Sequence, residues 1–268
     1  MSPIQKAVFN GVKVDFVDPP NVDPRYPKIL FVHGMWGAPW IFYVWLSICY
    51  LLKIRAYALD LEPADGRSTR DYVDMVVKVL DQIGPAALIG HSNGAIIASV
   101  AASENPNKAL ALVRVAGSLP KGMRCIELFW FKYRYWRAIT SGKQFRLTDR
   151  DAMKHVLNRI PEQRAWSLLK HFRTESGLVL KEAMLGVEVG PISCPVLVIG
   201  GIHDKILRVK YQRLLYQQYR RRLNAKYMDF PMGHMVPIED ADGRELRKIL
   251  IFLNQNVPQA VEGSLATV

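Results

Sequence analysis

The sequence is short of cysteine, of acidic side chains and of long uninterrupted apolar stretches, and each shortage closes off a class of protein. Its 3 cysteines, Cys49, Cys125 and Cys194, are odd in number and widely scattered over 268 residues. They make no disulfide framework and have no metal-ligand spacing, so they read as reduced structural thiols. The apolar stretch Ala38 to Leu52 falls short of the roughly 20 residues a membrane span needs and reads as a buried helix. Met1 to Asn10 has no basic start followed by an apolar run and a small-residue cleavage site, so the expected compartment is cytoplasmic. Acidic residues number 24 against 36 Lys and Arg, a net charge of +12 that fits anionic substrates, an anionic membrane surface or a basic host proteome. No zinc finger, RNA-binding signature or long basic tail accompanies that charge, and nucleic acid is not an expected partner. Internal repeats and low-complexity tracts are absent too.

What is present is half hydrophobic and long enough for one sizeable α/β core. Lys6 to Val17 alternates around Asn10-Gly11, the strongest short-range hairpin signal. After a Pro-rich crossing, Lys28 to Gly34 is a continuous apolar run of the kind buried on both faces of a parallel sheet. A helix from Pro39 to about Lys53, a strand from Arg55 to Leu61 and a helix from Ser68 to Ile83 follow, the last stopped by Gly84-Pro85. The apolar run from Ala86 up to Gly90, too short for a helix, and Ala109 to Val115 are further strands around a small-residue helix. Alternation of this kind predicts right-handed crossovers and a mostly parallel central sheet flanked by helices.

From Leu119 to about Val189 the rhythm breaks. No strand-like run appears there, only helical patterns rich in Trp, Tyr and Phe, with helix starts expected at Thr148, Pro161 and Thr174. The expected organisation is therefore a core of residues 1–118 and 190–268 with a helical cap inserted over 119–189. Beyond it come a strand from Pro195 to Gly201, a helix from Val209 to Arg222, a strand from Lys226 to Phe230 and a helix from Glu239 to Asn254, with a polar tail from Val257 expected to fray.

The chain is organised around Gly90-His91-Ser92-Asn93-Gly94, where strand meets helix. A sharp turn here strains the backbone at Ser92, and it brings strand and helix so close that only glycine fits at Gly90 and Gly94. A serine hydroxyl is a poor nucleophile at neutral pH and needs a base, which in turn needs an acid to orient it. Asp204 follows the strand ending at Gly201, and His234 follows the strand ending at Phe230. Asp60 also ends a strand and has either a structural or a catalytic role, with sequence position favouring Asp204 as the acid. Backbone N–H groups of Met35, in His33-Gly34-Met35-Trp36-Gly37, and of Asn93 are placed to hold an oxyanion.

These motifs, in the order Ser92, Asp204, His234, resemble the α/β-hydrolase fold superfamily, and within it the small capped serine esterases and lysophospholipase-like hydrolases. The likeness rests on His33-Gly34 with Gly37, Asp60 with Asp65-Gly66-Arg67-Ser68, Gly90 to Gly94, Gly201 with Asp204, and Gly233-His234. It departs where relatives often have Gly-His-Gly and this chain has Ala64-Asp65-Gly66, and where Met-Gly-Gly is replaced by Asn93-Gly94-Ala95, which sets an amide beside the oxyanion position. The resemblance implies a carboxylesterase- or lipase-like hydrolase using an acyl-enzyme, with no cofactor and no metal, acting on a small-molecule or lipid-like ester. A thioesterase is one alternative. A non-hydrolytic lyase, cofactor-free oxygenase or ligand receptor on the same scaffold is another. A nucleophilic-aspartate enzyme is disfavoured by the serine at the elbow.

Blander readings attach to the remaining groups. His33 is expected to brace the oxyanion loop, His91 to pack beside the nucleophile, His203 to neighbour the acid, and His155 and His171 to be solvated on cap helices. Leu128 to Arg137 mixes aromatics with cations, either a core-facing helix with a basic side or an apolar roof with a basic face for peripheral contact with anionic membranes. Arg220-Arg221-Arg222 reads as a charge cluster closing a helix. Oligomeric state is not legible.

Overall fold

The Asn10-Gly11 signal becomes a two-residue turn with both residues at positive φ, 48° and 82°, joining β1 (Gln5–Phe9) to β2 (Val12–Val17) in antiparallel register. The computed structural model, which describes residues 3–123 and 125–258, continues this hairpin into an eight-stranded sheet. Its other strands are β3 (Ile29–Val32), β4 (Ala56–Leu59), β5 (Ala86–His91), β6 (Ala109–Val115), β9 (Val196–Gly201) and β10 (Ala225–Phe230), all parallel to one another. The spatial order is β1-β2-β4-β3-β5-β6-β9-β10. The short strands β7 (Gln144–Phe145) and β8 (Glu175–Ser176) pair separately, inside the segment between β6 and β9.

Alternation along the central strands divides the core between the two faces. Ile29 and Phe31 of β3 face one cluster, with Trp45, Leu46 and Cys49 of α1 (Tyr43–Leu51) and Ile249, Leu250 and Phe252 of the last helix. Leu30 and Val32 face the other, with Tyr72, Val73 and Val76 of α2 (Thr69–Ile83) and Ile96 and Ile97 of α3 (Asn93–Glu104). Each such side chain contributes about 1.5–3 kcal/mol on burial, which is why an unbroken apolar run rather than an alternating one marks the middle of the sheet. The capping box expected of a helix start is present at α2, where Ser68 Oγ accepts from Asp71 N–H and the Asp71 carboxylate accepts from Ser68 N–H.

Between β6 and β9 lie α4 (Ile126–Arg134), α5 (Trp136–Ser141), α6 (Asp149–Asp151), a π-helical stretch Ala152–Val156, α7 (Glu162–Leu169) and α8 (Gly177–Leu185). Most of the segment's buried side chains, Phe131, Leu147, Val156, Ile160 and Phe172 among them, extend the first core cluster onto Trp36 and Ile41, while Val179 of α8 joins the second. The helices α9 (Val209–Tyr219), α10 (Val236–Glu239) and α11 (Arg244–Asn256) complete the chain.

Several local expectations are corrected. The helix at residue 39 opens with a 3-10 turn over Pro39–Phe42. Thr174 does not start a helix. Glu175 and Ser176 pair with β7 first, and it is Ser176 Oγ that accepts from Leu178 N–H and caps α8. That small pairing is also the strand content that the sequence pattern does not signal. The final helix is split, since Asp240 accepts from the N–H groups of Glu245 and Leu246 and from Trp45 Nε1, and Gly243 turns at φ 68° between α10 and α11. Helix α9 stops at Tyr219, short of Arg222, so Arg220 to Arg222 form the turn after it. Of the tail expected to fray from Val257, Val257 itself is buried in the first core cluster, and residues 259–268 lie outside the described residues.

Candidate active site

Strand β5 delivers its chain directly into Ser92, whose φ of 54° and ψ of −123° lie in a region costly for any residue with a side chain, on the order of 1–3 kcal/mol. The surroundings enforce it. Ser92 N–H donates to Val115 O at 3.0 Å, and Ser92 O accepts from Ala95 N–H and Ser118 N–H at 3.1 and 3.0 Å. A Cβ at Gly90 would lie 2.5 Å from Ala95 Cα, and one at Gly94 would lie 2.5 Å from His33 O, so glycine alone permits this approach of α3 to β5 and β3.

The loops after β9 and β10 bring two further side chains to the same rim. His234 Nε2 accepts from Ser92 Oγ at 3.0 Å, and His234 Nδ1 donates to Asp204 Oδ2 at 2.8 Å. Asp204 is buried, and its other oxygen accepts from Ile206 N–H and Leu207 N–H at 2.7 and 2.9 Å, which fixes the carboxylate in place. His234 is held from its backbone as well, because its carbonyl accepts from His91 Nε2 at 2.8 Å. Complete burial pushes the His91 imidazole down to about 3, so it serves as a neutral brace. Gly233 N–H, just before His234, donates to Glu239 Oε2 at 2.7 Å.

The loop after β3 lies against the nucleophile, and a Cβ on Gly34 would meet Ser92 Cβ at 2.6 Å. His33 Nδ1–H donates to Gly34 O at 2.8 Å and Nε2 accepts from Leu61 N–H at 3.0 Å, a pattern that fixes one neutral tautomer and leaves the ring no spare proton. Asp60 lies 3.9 Å from that Nε2, too far for a hydrogen bond, and instead pairs with Arg173 at 2.6 Å. Burial works against the Asp60 charge, but the nearby His33 ring and the Arg173 guanidinium together outweigh it and hold the carboxyl below its usual range. Among the described residues, the Met35 and Asn93 N–H groups donate to no protein acceptor, which leaves both available to a ligand oxygen. The Asn93 side chain is buried.

That cavity measures about 20 Å³ and is walled by Met35, Ile41, Val156, Phe172, Met235 and the His234 ring. It has room for about one water molecule. Ser92, Asp204 and His234 are thus brought together, whereas Asp60 and His203 stand apart from the hydrogen-bonded chain. His155, expected in solvent, is half-buried against the Phe131 ring at 6.0 Å, and exposed His171 lies 5.8 Å from Trp40.

Two features escape a reading of sequence patterns. Trp36, at φ 59°, gives its carbonyl to Arg173 N–H at 3.0 Å and its N–H to Glu175, so the inserted segment grips the loop after β3 on both sides. Glu175 also accepts from Tyr72 O–H and Ser176 N–H at 2.7 Å, yet its burial raises it above the ordinary carboxyl range. Arg114, fully buried in β6, donates to Ala95 O at 3.1 Å and to Ser99 Oγ and Ser118 O, bracing α3 and the loop that holds Ser92 O. A charged residue interrupting a buried apolar run was the available signal for Arg114; Glu175 carried none.

Among the described residues no cluster of three or more His, Cys, Asp or Glu could hold a metal, and no helix is long and apolar enough to cross a membrane. All three cysteines are free and buried, and burial pushes the Cys49 and Cys125 thiols up to about 12 and Cys194 to about 11.

A family model described as "Alpha/beta hydrolase family" matches residues 29–247. No curated protein matches the sequence. The fold is similar to that of an esterase from Thermogutta terrifontis, at a TM-score of 0.69 and 15% identity over 93% of this chain and 99% of that one. It is similar as well to a carboxylesterase of Nitrososphaera gargenis, with a TM-score of 0.64 and 20% identity over 93% of this chain and 97% of that one. An enol-lactonase from Burkholderia xenovorans LB400 gives 0.66 and 15% over 94% and 100%. At these identities the likeness is one of fold.

Proposed function

The chain belongs to the alpha/beta hydrolase family, and from that membership we propose that it is a serine hydrolase cleaving carboxylic esters through an acyl-enzyme. The observation that carries this reading is the unbroken relay from Ser92 Oγ through both His234 nitrogens to Asp204, at 3.0 and 2.8 Å. Ser92 attacks the acyl carbon as His234 Nε2 takes its proton, and the same imidazole returns that proton to the leaving group. Asp204 keeps Nδ1 protonated and Nε2 free to act as base. The N–H groups of Met35 and Asn93 hold the oxyanion, and His33, Gly34, Gly90 and Gly94 hold those groups in position. Water, activated by His234, then releases the acid.

In this reading residues 119–189 are the cap and residues 1–118 with 190–268 the catalytic core. Supporting it, Val156 and Phe172 of the inserted segment close the cavity over Ser92. A chamber of about 20 Å³ cannot hold an ester, so the cap moves aside to admit a small-molecule or lipid-like substrate. The carboxylesterase and the enol-lactonase among the fold relatives point to the same bond class. Three free buried thiols fit a cytoplasmic setting.

The test is hydrolysis of monobutyrin, a neutral ester, by the wild type and by Ser92→Ala. The substitution is expected to lower kcat by about 10⁴-fold or more and to abolish labelling by a fluorophosphonate, with the circular dichroism spectrum unchanged. Undiminished turnover in a folded variant overturns the proposal.

A further inference from the structure

A groove of about 750 Å³ runs along the seam between the inserted segment and the core, beside the Asp204 loop. Its volume is that of a small-ligand site. Four exposed cations line it from three separate stretches of chain: Lys154 on the π-helical stretch, Arg159 beyond it, and Lys205 and Arg208 after β9. The two carboxylates at its wall already have partners, Glu127 one of the groove's own cations. Glu127 pairs with Arg208 at 2.7 Å and accepts from Tyr211 O–H, and Asp204 is taken by His234 and two backbone N–H groups. Among the described residues Lys154, Arg159 and Lys205 form no ion pair. Glu127 compensates Arg208 and Glu239 lies near Arg159, but Lys154 and Lys205 face the groove without an ion-pair partner among the described residues, and a dianion set between them removes their mutual repulsion.

The groove is also placed with respect to the chemistry. Lys154 and His155 face it, while their neighbour Val156 faces the Ser92 cavity, so one turn of π-helix separates the two spaces. Such wide turns concentrate at functional positions. The Arg159 side chain lies against Gly233, directly before His234. Burial, and after it the Lys154 ammonium, keep the His155 imidazole below its ordinary value, in keeping with a positive field in the groove.

We propose that this groove is an anion subsite that takes the phosphate of a substrate's leaving group, so that the preferred esters are those of phosphorylated alcohols or thiols. The inference rests on the ester-hydrolase reading above. The leaving oxygen or sulfur receives its proton from His234 Nε2, so the leaving group lies on the His234 side of the acyl carbon, and the groove adjoins that side. In the reaction the acyl C–O or C–S bond breaks, water supplies the hydroxyl of the acid and the proton of the alcohol or thiol, and the phosphate is carried through intact. A glycerophosphate and a nucleotide-linked thiol present the same phosphate chemistry and differ in the length of chain between the scissile bond and the phosphate.

The experiment compares kcat/KM for 1-butyrylglycerol 3-phosphate and for butyryl coenzyme A with that for monobutyrin, in the wild type and in Lys154→Ser/Lys205→Ser. At least one phosphorylated ester is expected to exceed monobutyrin by tenfold or more, with the advantage in KM. The double substitution, and raised salt, should erase most of that ratio, while Lys78→Ser/Lys170→Ser, on exposed surface elsewhere, retains it. Which arm shows the advantage identifies the source of the phosphate. Equal ratios for all three esters, or a preference that survives the double substitution, overturns the subsite while leaving the hydrolase reading intact. Should no ester be turned over, titration of the Ser92→Ala protein with inorganic pyrophosphate at low salt tests the groove alone. Heat of binding lost in the Lys154→Ser/Lys205→Ser background supports it, and its absence at the outset overturns it.

Discussion

The strand ends around Ser92 and the segment between β6 and β9 face each other across the same small cavity, but they are built on different principles. Around Ser92 nearly every position is fixed by backbone: positive φ at the serine, glycines with no room for a Cβ, and carbonyls and N–H groups that anchor the turn. The inserted segment relies on side chains, with Phe131, Val156 and Phe172 packed inward, Tyr133 and Trp136 left exposed, and cations around its rim. Backbone constraints tolerate little change and suit a reaction that stays constant. Side-chain constraints change one residue at a time and suit a preference that varies.

Three substitutions can break or sharpen that contrast. The largest effect is expected of Asp204→Asn, which preserves shape but lets the His234 ring adopt the wrong tautomer. A fall in kcat of about 10³–10⁴-fold on monobutyrin is expected, with no change in melting temperature beyond a few degrees. A fall of tenfold or less would mean that orientation of His234 comes mainly from its backbone contact with His91. Next, Gly94→Ala places a methyl group against the carbonyls of β3, and a loss of stability above about 3 kcal/mol by urea unfolding is expected. A loss under about 1 kcal/mol would show that the elbow can relax and would dissolve the contrast.

The smallest effect concerns the contact between the two regions. Burial raises Glu175 in the folded state, so the protonated form is the better tolerated one. Its contribution is therefore complete below the ordinary glutamate value of about 4.3 and is lost as pH rises through the raised folded value. Glu175→Gln removes that dependence. Relative to wild type, the variant should gain stability with rising pH in this window, by at most about 1.4 kcal/mol per pH unit, as read from denaturant midpoints. A flat difference would mean that the three donors around Glu175 fully compensate its charge.

What a reader of sequence could see follows the same division. Ile29 to Val32 announces a central strand because all four side chains are buried and alternate between two cores. Gly90 and Gly94 announce the elbow because glycine is demanded by contact with the very next elements. The positions of Ser92, Asp204 and His234 after strands followed from apolar runs, whereas the 3.0 and 2.8 Å distances between their side chains come only with the folded chain. Glu175 meets Tyr72 across 103 positions, and no periodicity on either element encodes that meeting. The split between α10 and α11 was hidden for a similar reason, since Asp240 draws Trp45 from 195 positions away and spends its carboxylate on the start of α11.

The double grip on Trp36 bears on how such a protein can be recombined. Because the loop after β3 takes one hydrogen-bond partner from Arg173 and another from Glu175, the stretch following β6 is not an interchangeable module. A chimaera that imports a stretch with no carboxylate in the place of Glu175 leaves the N–H of a left-handed tryptophan without its partner, next to the backbone N–H of Met35. Grafts that keep a carboxylate at the place of Glu175, where Tyr72 of the core can reach it, should inherit activity; grafts that lose it should inherit only the scaffold.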